Sequence, residues 1–177
     1  MSGRQPEGWK LLPWRWSAVD IRNGGSSWVS VQSADGGDSG YDWMIEPGSR
    51  SGTYRIKTCG HGFGKQPPGW ELSAWRWSAV DIRSPVSSWV AVHSADAQQG
   101  GGKWGSDWMI EPGSRKGTYR IKTCGHSEGG QLADWELTAH RNGDEDMRNH
   151  LSTRVQVHSA VDGGIWGSDW ELQKLDN

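Results

Sequence analysis

A pair of tryptophans around an arginine, then an aspartate and an arginine, occurs twice in this chain. WRWSAVDIR stands at 14–22 and, letter for letter, at 75–83. Side chains alternate along an extended backbone, so Trp14 and Trp16 would share one side, and Trp75 and Trp77 likewise, with Arg15 and Arg76 opposite. Indole faces stack on the C–H faces of sugars. Asp20 with Arg22, and Asp81 with Arg83, offer groups that hydrogen-bond hydroxyls. The same residues have a structural use: indoles that cover the mouth of a barrel, with arginine stacked on them.

A second cluster is His93-Ser94-Ala95-Asp96, which returns as His158-Ser159-Ala160-Val161-Asp162. A Gly-rich loop follows each, then Trp104 or Trp166. Polar groups beside a loop and an indole make a shallow sugar pocket; an Asp that caps a turn through the backbone is the competing use. Cys59-Gly60-His61 and Cys124-Gly125-His126 hold residue types that zinc favours. Cys-x-His is not a finger spacing, so free thiols are expected, with no metal and no cofactor. Catalysis is not expected either. There is no G-x-S-x-G elbow, and of the candidate carboxylates Glu46, Glu71 and Glu111, two belong to a repeated surface turn.

These residues sit in a threefold repeat. Trp9-Lys10-Leu11, Trp70-Glu71-Leu72 and Trp135-Glu136-Leu137 open units of about 9–69, 70–134 and 135–177 within a single domain, 1–177. WVSV, WVAV and RVQV follow in order, then DWMI, DWMI and DWEL. GTYRIKTCGH closes the first two units. The third unit replaces WRWSAVDIR by HRNGDEDMR at 140–148. On this reading the segment is a surface insertion, dispensable to the fold and free for a ligand or partner in units one and two.

Each landmark predicts a strand. Tyr and Ile alternate with polar residues in GTYRIKT, and Trp, Leu and Ala share a face in WELSA. EPGSRKG predicts a type II turn with Pro and Gly at its centre. No helical period is present. The composition agrees: hydrophobic residues are only 33%, but there are 14 Trp, and 26 Gly suit many tight turns. With 19 basic and 21 acidic residues, no footprint for nucleic acid is expected. No apolar run approaches a membrane span and no secretory leader opens the chain, so a cytoplasmic, non-classically secreted or mature extracellular chain is expected.

Three units with the order G-x-Y-x-I, W-x-L, V-x-V and W-x-I resemble the repeat of the β-trefoil lectins, the ricin-B-like and fascin-like proteins among them. The ricin-type Q-x-W signature is not matched; S-D-W or Y-D-W stands near its place. The resemblance implies an all-β, pseudo-threefold β-trefoil that binds glycans or glycoconjugates. Only eleven strand-like segments are counted, four of them in unit two, so the fold is one strand short. The twelfth is missing, irregular or supplied by another molecule, and an unpaired edge invites association. The expected function is multivalent carbohydrate binding. The alternative is a self-assembling structural scaffold, filamentous or mineral-associated, with a homo-oligomer as partner.

Overall fold

The computed structural model describes residues 8–174 except 14, 34–40, 63–64, 75, 77, 95–105, 127–129, 140–142, 145, 151 and 160–167. The described residues form strands and turns only. Unit one supplies β1 (Lys10–Leu12), β2 (Ile21–Asn23), β3 (Ser26–Trp28), β4 (Ser30–Gln32), β5 (Trp43–Pro47) and β6 (Tyr54–Thr58). Unit two repeats them as β7 (Glu71–Ser73), β8 (Ile82–Ser84), β9 (Ser87–Trp89), β10 (Ala91–His93), β11 (Asp107–Pro112) and β12 (Thr118–His126). Unit three gives β13 (Gln131–Thr138), β14 (Met147–Asn149), β15 (Ser152–Arg154), β16 (Gln156–His158) and β17 (Trp170–Glu171).

The strands exceed the eleven expected for two reasons. The S-x-W-V-x-V segment breaks at one valine into two short strands, and the D-x-R segment folds as a strand of its own. All pairings are antiparallel. Within units, β5 pairs β6 and β11 pairs β12 as hairpins, while β1, β7 and β13 pair β4, β10 and β16. Between units, β10 pairs β3, β16 pairs β9 and β4 pairs β15, so the third unit returns to the first.

The breaking valines close the same circuit. Val29 N–H donates to the Val90 carbonyl at 3.1 Å, Val90 N–H to Val155 at 3.1 Å, and Val155 N–H to Val29 at 2.9 Å. All three side chains are buried. A valine there gives up its ladder bond inside the unit and spends the amide on the next unit, which leaves no buried amide unpaired.

One core collects Leu72, Val92, Trp108, Ile121, Leu137 and their equivalents. Full burial of each such side chain contributes roughly 1.5–3 kcal/mol. A buried indole needs a partner for its N–H. Trp108 Nε1 donates to the Leu72 carbonyl at 3.0 Å, Trp43 to Leu11 at 3.1 Å, and Trp170 to Leu137 at 2.9 Å. The expected one-sided W-x-L strand is instead buried on both faces, because Glu71 and Glu136 point away from the core and take the Arg55 and Arg120 guanidiniums at 2.8 and 2.9 Å.

The repeated hairpin turn also differs from the type II expectation. Pro47 and Pro112 end strands, and the turn closes further on, from Thr53 N–H to Arg50 O and from Thr118 N–H to Arg115 O, both 3.1 Å. The left-handed residues are Gly52 (φ 77°) and Gly117 (φ 83°). Gly48 serves close approach instead: a Cβ there would lie 2.8 Å from Asp107 Oδ1.

Candidate functional site

The D-x-R strands meet at one end of the molecule. Each begins in a turn that its own aspartate closes. Asp20 accepts the Ser17 amide and hydroxyl, both at 2.9 Å; Asp81 accepts those of Ser78 at 2.9 and 2.8 Å; Asp146 accepts the Gly143 amide at 3.0 Å. Each arginine then crosses to the next unit. Arg22 pairs Asp81 at 2.6 Å, Arg83 pairs Asp146 at 2.9 Å, and Arg148 pairs Asp20 at 2.9 Å. Three ion pairs form one closed ring. Asp146 is 0% exposed.

This corrects the view of WRWSAVDIR as dispensable. HRNGDEDMR keeps Asp146 and Arg148 at the spacing of Asp20 and Arg22, and the ring closes only with all three copies. Asp20, Arg22, Asp81 and Arg83 were expected to offer groups to a ligand; they are buried or nearly so and bonded to one another. The recurring D-x-R at 20–22, 81–83 and 146–148 is the sequence signal for this.

Aromatics back the ring. Arg22 lies over the Trp28 ring at 5.5 Å and Arg83 over Trp89 at 5.3 Å. Unit three carries Arg154 where the others carry Trp28 and Trp89, and its guanidinium reaches both indoles, at 5.6 and 5.5 Å. A depression of about 660 Å³ opens here, floored by Trp28, Trp89 and Arg154 and rimmed by the exposed Val19, Val80 and Ile82.

Arg15 stacks over Trp70 of the next unit at 4.6 Å, and Arg76 over Trp135 at 4.6 Å. The arginine therefore clamps the backbone inward, and Trp16 stands 53% exposed. Trp14, Trp75 and Trp77 lie outside the described residues.

The His-Ser-Ala-Asp expectation divides. His93 and His158 were placed beside a loop, but they end β10 and β16 and are buried, because both neighbouring strands pair there: His93 opposes Ser26 and Glu71, and His158 opposes Ser87 and Glu136. Burial, and then the nearby Arg22 charge, push the His93 pKa down to about 4. Asp96, Trp104, Asp162 and Trp166 lie outside the described residues.

Cys59 and Cys124 are free. Burial pushes the Cys59 thiol up, and the Asp42 charge adds to it. Burial also raises Cys124, where Arg50 opposes and Asp107 and Asp134 assist. Such thiols stay protonated near neutral pH and are poor nucleophiles. Among the described residues, no group of three or more His, Cys, Asp or Glu is placed to hold a metal ion, and no helix is long and apolar enough to cross a membrane.

No protein-family model, curated protein or solved structure matches the chain.

Proposed function

We propose that the chain is a β-trefoil that binds carbohydrate through aromatic loops repeated around its axis. The trefoil reading is supported by the three circuits: strand exchange, valine amides and Asp–Arg pairs each run from unit one to two to three and back. The binding reading is carried by Trp16. Its neighbour Arg15 is fixed on Trp70, and the indole is left 53% exposed. A half-exposed indole beside an anchored arginine suits stacking against a pyranose. The frame needs Trp9, Trp28, Trp43, Trp70, Trp89, Trp108, Trp135 and Trp170 for packing, whereas Trp16 lies in a turn before β2. Repetition adds avidity when a glycan array spans two sites.

A glycan array probed with the native chain and with Trp16→Ala/Trp77→Ala tests this. Binding that a free sugar competes, and that the double variant loses with its melting temperature unchanged, is expected. A blank array from folded protein overturns it. An assembly role has one observation in its favour: among the described residues β1, β5 and β17 each pair on one side only. Mass that grows with concentration would move the function to that reading.

A further inference from the structure

In an Asn-Gly pair the side-chain amide meets the next backbone nitrogen with no Cβ in the way. The pair occurs twice, each time after arginine: Arg22-Asn23-Gly24 and Arg141-Asn142-Gly143. The tertiary structure treats the two glycine amides differently.

Asn23 ends β2, and Gly24 opens the turn to β3. Both are exposed, and a Cβ on Gly24 would meet nothing within 4 Å. The Gly24 amide gives no hydrogen bond among the described residues. The next amide is engaged: Gly25 N–H donates to Asn23 Oδ1 at 2.9 Å. That bond polarises Cγ and sits where negative charge gathers when a nucleophile attacks there. Electrophile, nucleophile and oxyanion donor are thus Asn23 Cγ, Gly24 N and Gly25 N–H, in consecutive residues.

At the second pair, Gly143 N–H donates to the buried Asp146 carboxylate at 3.0 Å. Loss of that proton would set a nitrogen anion against a carboxylate. Asn142 itself lies outside the described residues. The equivalent turn of unit two reads Ser84-Pro85-Val86, with neither a side-chain amide nor an N–H on the proline. Asn149 of unit three precedes His150, whose Cβ stands beside the attacking nitrogen.

The turn of unit one also joins two units. The Gly25 carbonyl accepts Ser94 N–H at 2.9 Å, as the Val86 carbonyl accepts Ser159 N–H at 2.9 Å. Arg22, just before Asn23, makes the 2.6 Å pair with Asp81.

We propose that Asn23 is a modification site, at which the folded chain converts itself to aspartate and isoaspartate. Gly24 N gives its proton to water or hydroxide and bonds to Asn23 Cγ. The Cγ–Nδ2 bond breaks, Nδ2 takes up a proton and leaves as ammonia, and a succinimide ring results. Water then adds to one of the two ring carbonyls. Addition at Cγ restores the ordinary chain with an aspartate. Addition at the backbone carbonyl gives isoaspartate, with one more carbon in the main chain. Nothing is oxidised or reduced. The extra carbon lies between Arg22 and Gly25, so the isoaspartyl form shifts one anchor against the other and weakens the tie to unit two.

The test incubates the full native chain in mildly alkaline buffer, beside the same chain unfolded in urea. Both are digested at acid pH and read by mass spectrometry at residues 23 and 142. In the native chain residue 23 should convert about tenfold faster than residue 142, or more, because a hydrogen bond to a charged group must be broken only at Gly143. In urea the two should convert at equal rates, since both stand in Arg-Asn-Gly. Asn23→Ser/Gly24→Pro copies the turn of unit two, so it should fold and show no conversion at residue 23. The isoaspartyl fraction, separated by chromatography, should melt below the unmodified chain. Asn23→Asp keeps an acceptor for Gly25 N–H and should melt with the unmodified chain. The proposal is overturned if residue 23 of the native chain converts no faster than residue 142, or stays intact while the unfolded chain converts. It is overturned equally if the isoaspartyl fraction melts with the unmodified chain.

Discussion

The Asp–Arg ring places six charges in a nearly dry setting, where removal of one partner costs more than the pair itself contributes. Asp146→Asn should therefore lower stability by about 3 kcal/mol in urea denaturation. Arg83→Gln combined with it should cost less than the sum of the two single changes, because the second removes a charge already orphaned. His93 makes a separate prediction at the same scale. Its folded pKa of about 4 lies below the 6.5 of an unperturbed imidazole, so the unfolded chain takes up the proton first. Stability should be full above pH 6.5 and fall as the pH drops towards 4, by up to roughly 3 kcal/mol from this group. Gln32 holds the equivalent place in unit one, so His93→Gln should fold and should flatten that slope. The D-x-R spacing stood in the sequence all along, yet the ring is legible only in space. A local reading sees aspartate beside arginine in one unit, whereas the bonds join different units, two of them about sixty residues apart and the third, Arg148 to Asp20, 128 apart.

The hairpin turn shows what an element requires. At Asp107 burial disfavours ionisation, but the Ser49 hydroxyl and amide and the Arg55 charge outweigh it and hold the carboxyl below the usual carboxylate range. Asp169 is held low in the same way by Ser114 and Arg120. A depressed carboxyl stabilises the fold at neutral pH and loses that contribution as the pH falls through its folded value, so both hairpins should loosen in acid. Gly113→Ala would bring a Cβ within 2.6 Å of Asp169 Oδ1. The expected loss is about 1–3 kcal/mol by thermal or urea unfolding. Gly117→Ala meets no neighbour but must hold φ 83°, and should cost about 1 kcal/mol. The proline-glycine pair suggested a turn from local chemistry. What the glycine does is make room for Thr118 of its own hairpin and for a carboxylate from the next unit, and no window around residue 113 contains that carboxylate.

At the scale of the molecule, the exposed loop tryptophan separates binding from stability. Loss of Trp16 should leave the free energy of unfolding unchanged within about 0.5 kcal/mol, read by urea denaturation, since exposed side chains contribute little to folding.

The sequence alone determined the all-β class and most of the strands. Period-two alternation and repeated landmarks are local properties, and a strand's pattern is written in its own residues. Tertiary structure decided which charges are spent on the fold. Asp20 and Arg22, Asp81 and Arg83, and His93 all looked available to a ligand, and each is buried by a strand or a charge from a distant part of the chain. Burial is set by what packs on a residue rather than by the residue itself. Tryptophan divides on the same ground: Trp108 is fully buried and Trp16 half exposed, according to what packs on each.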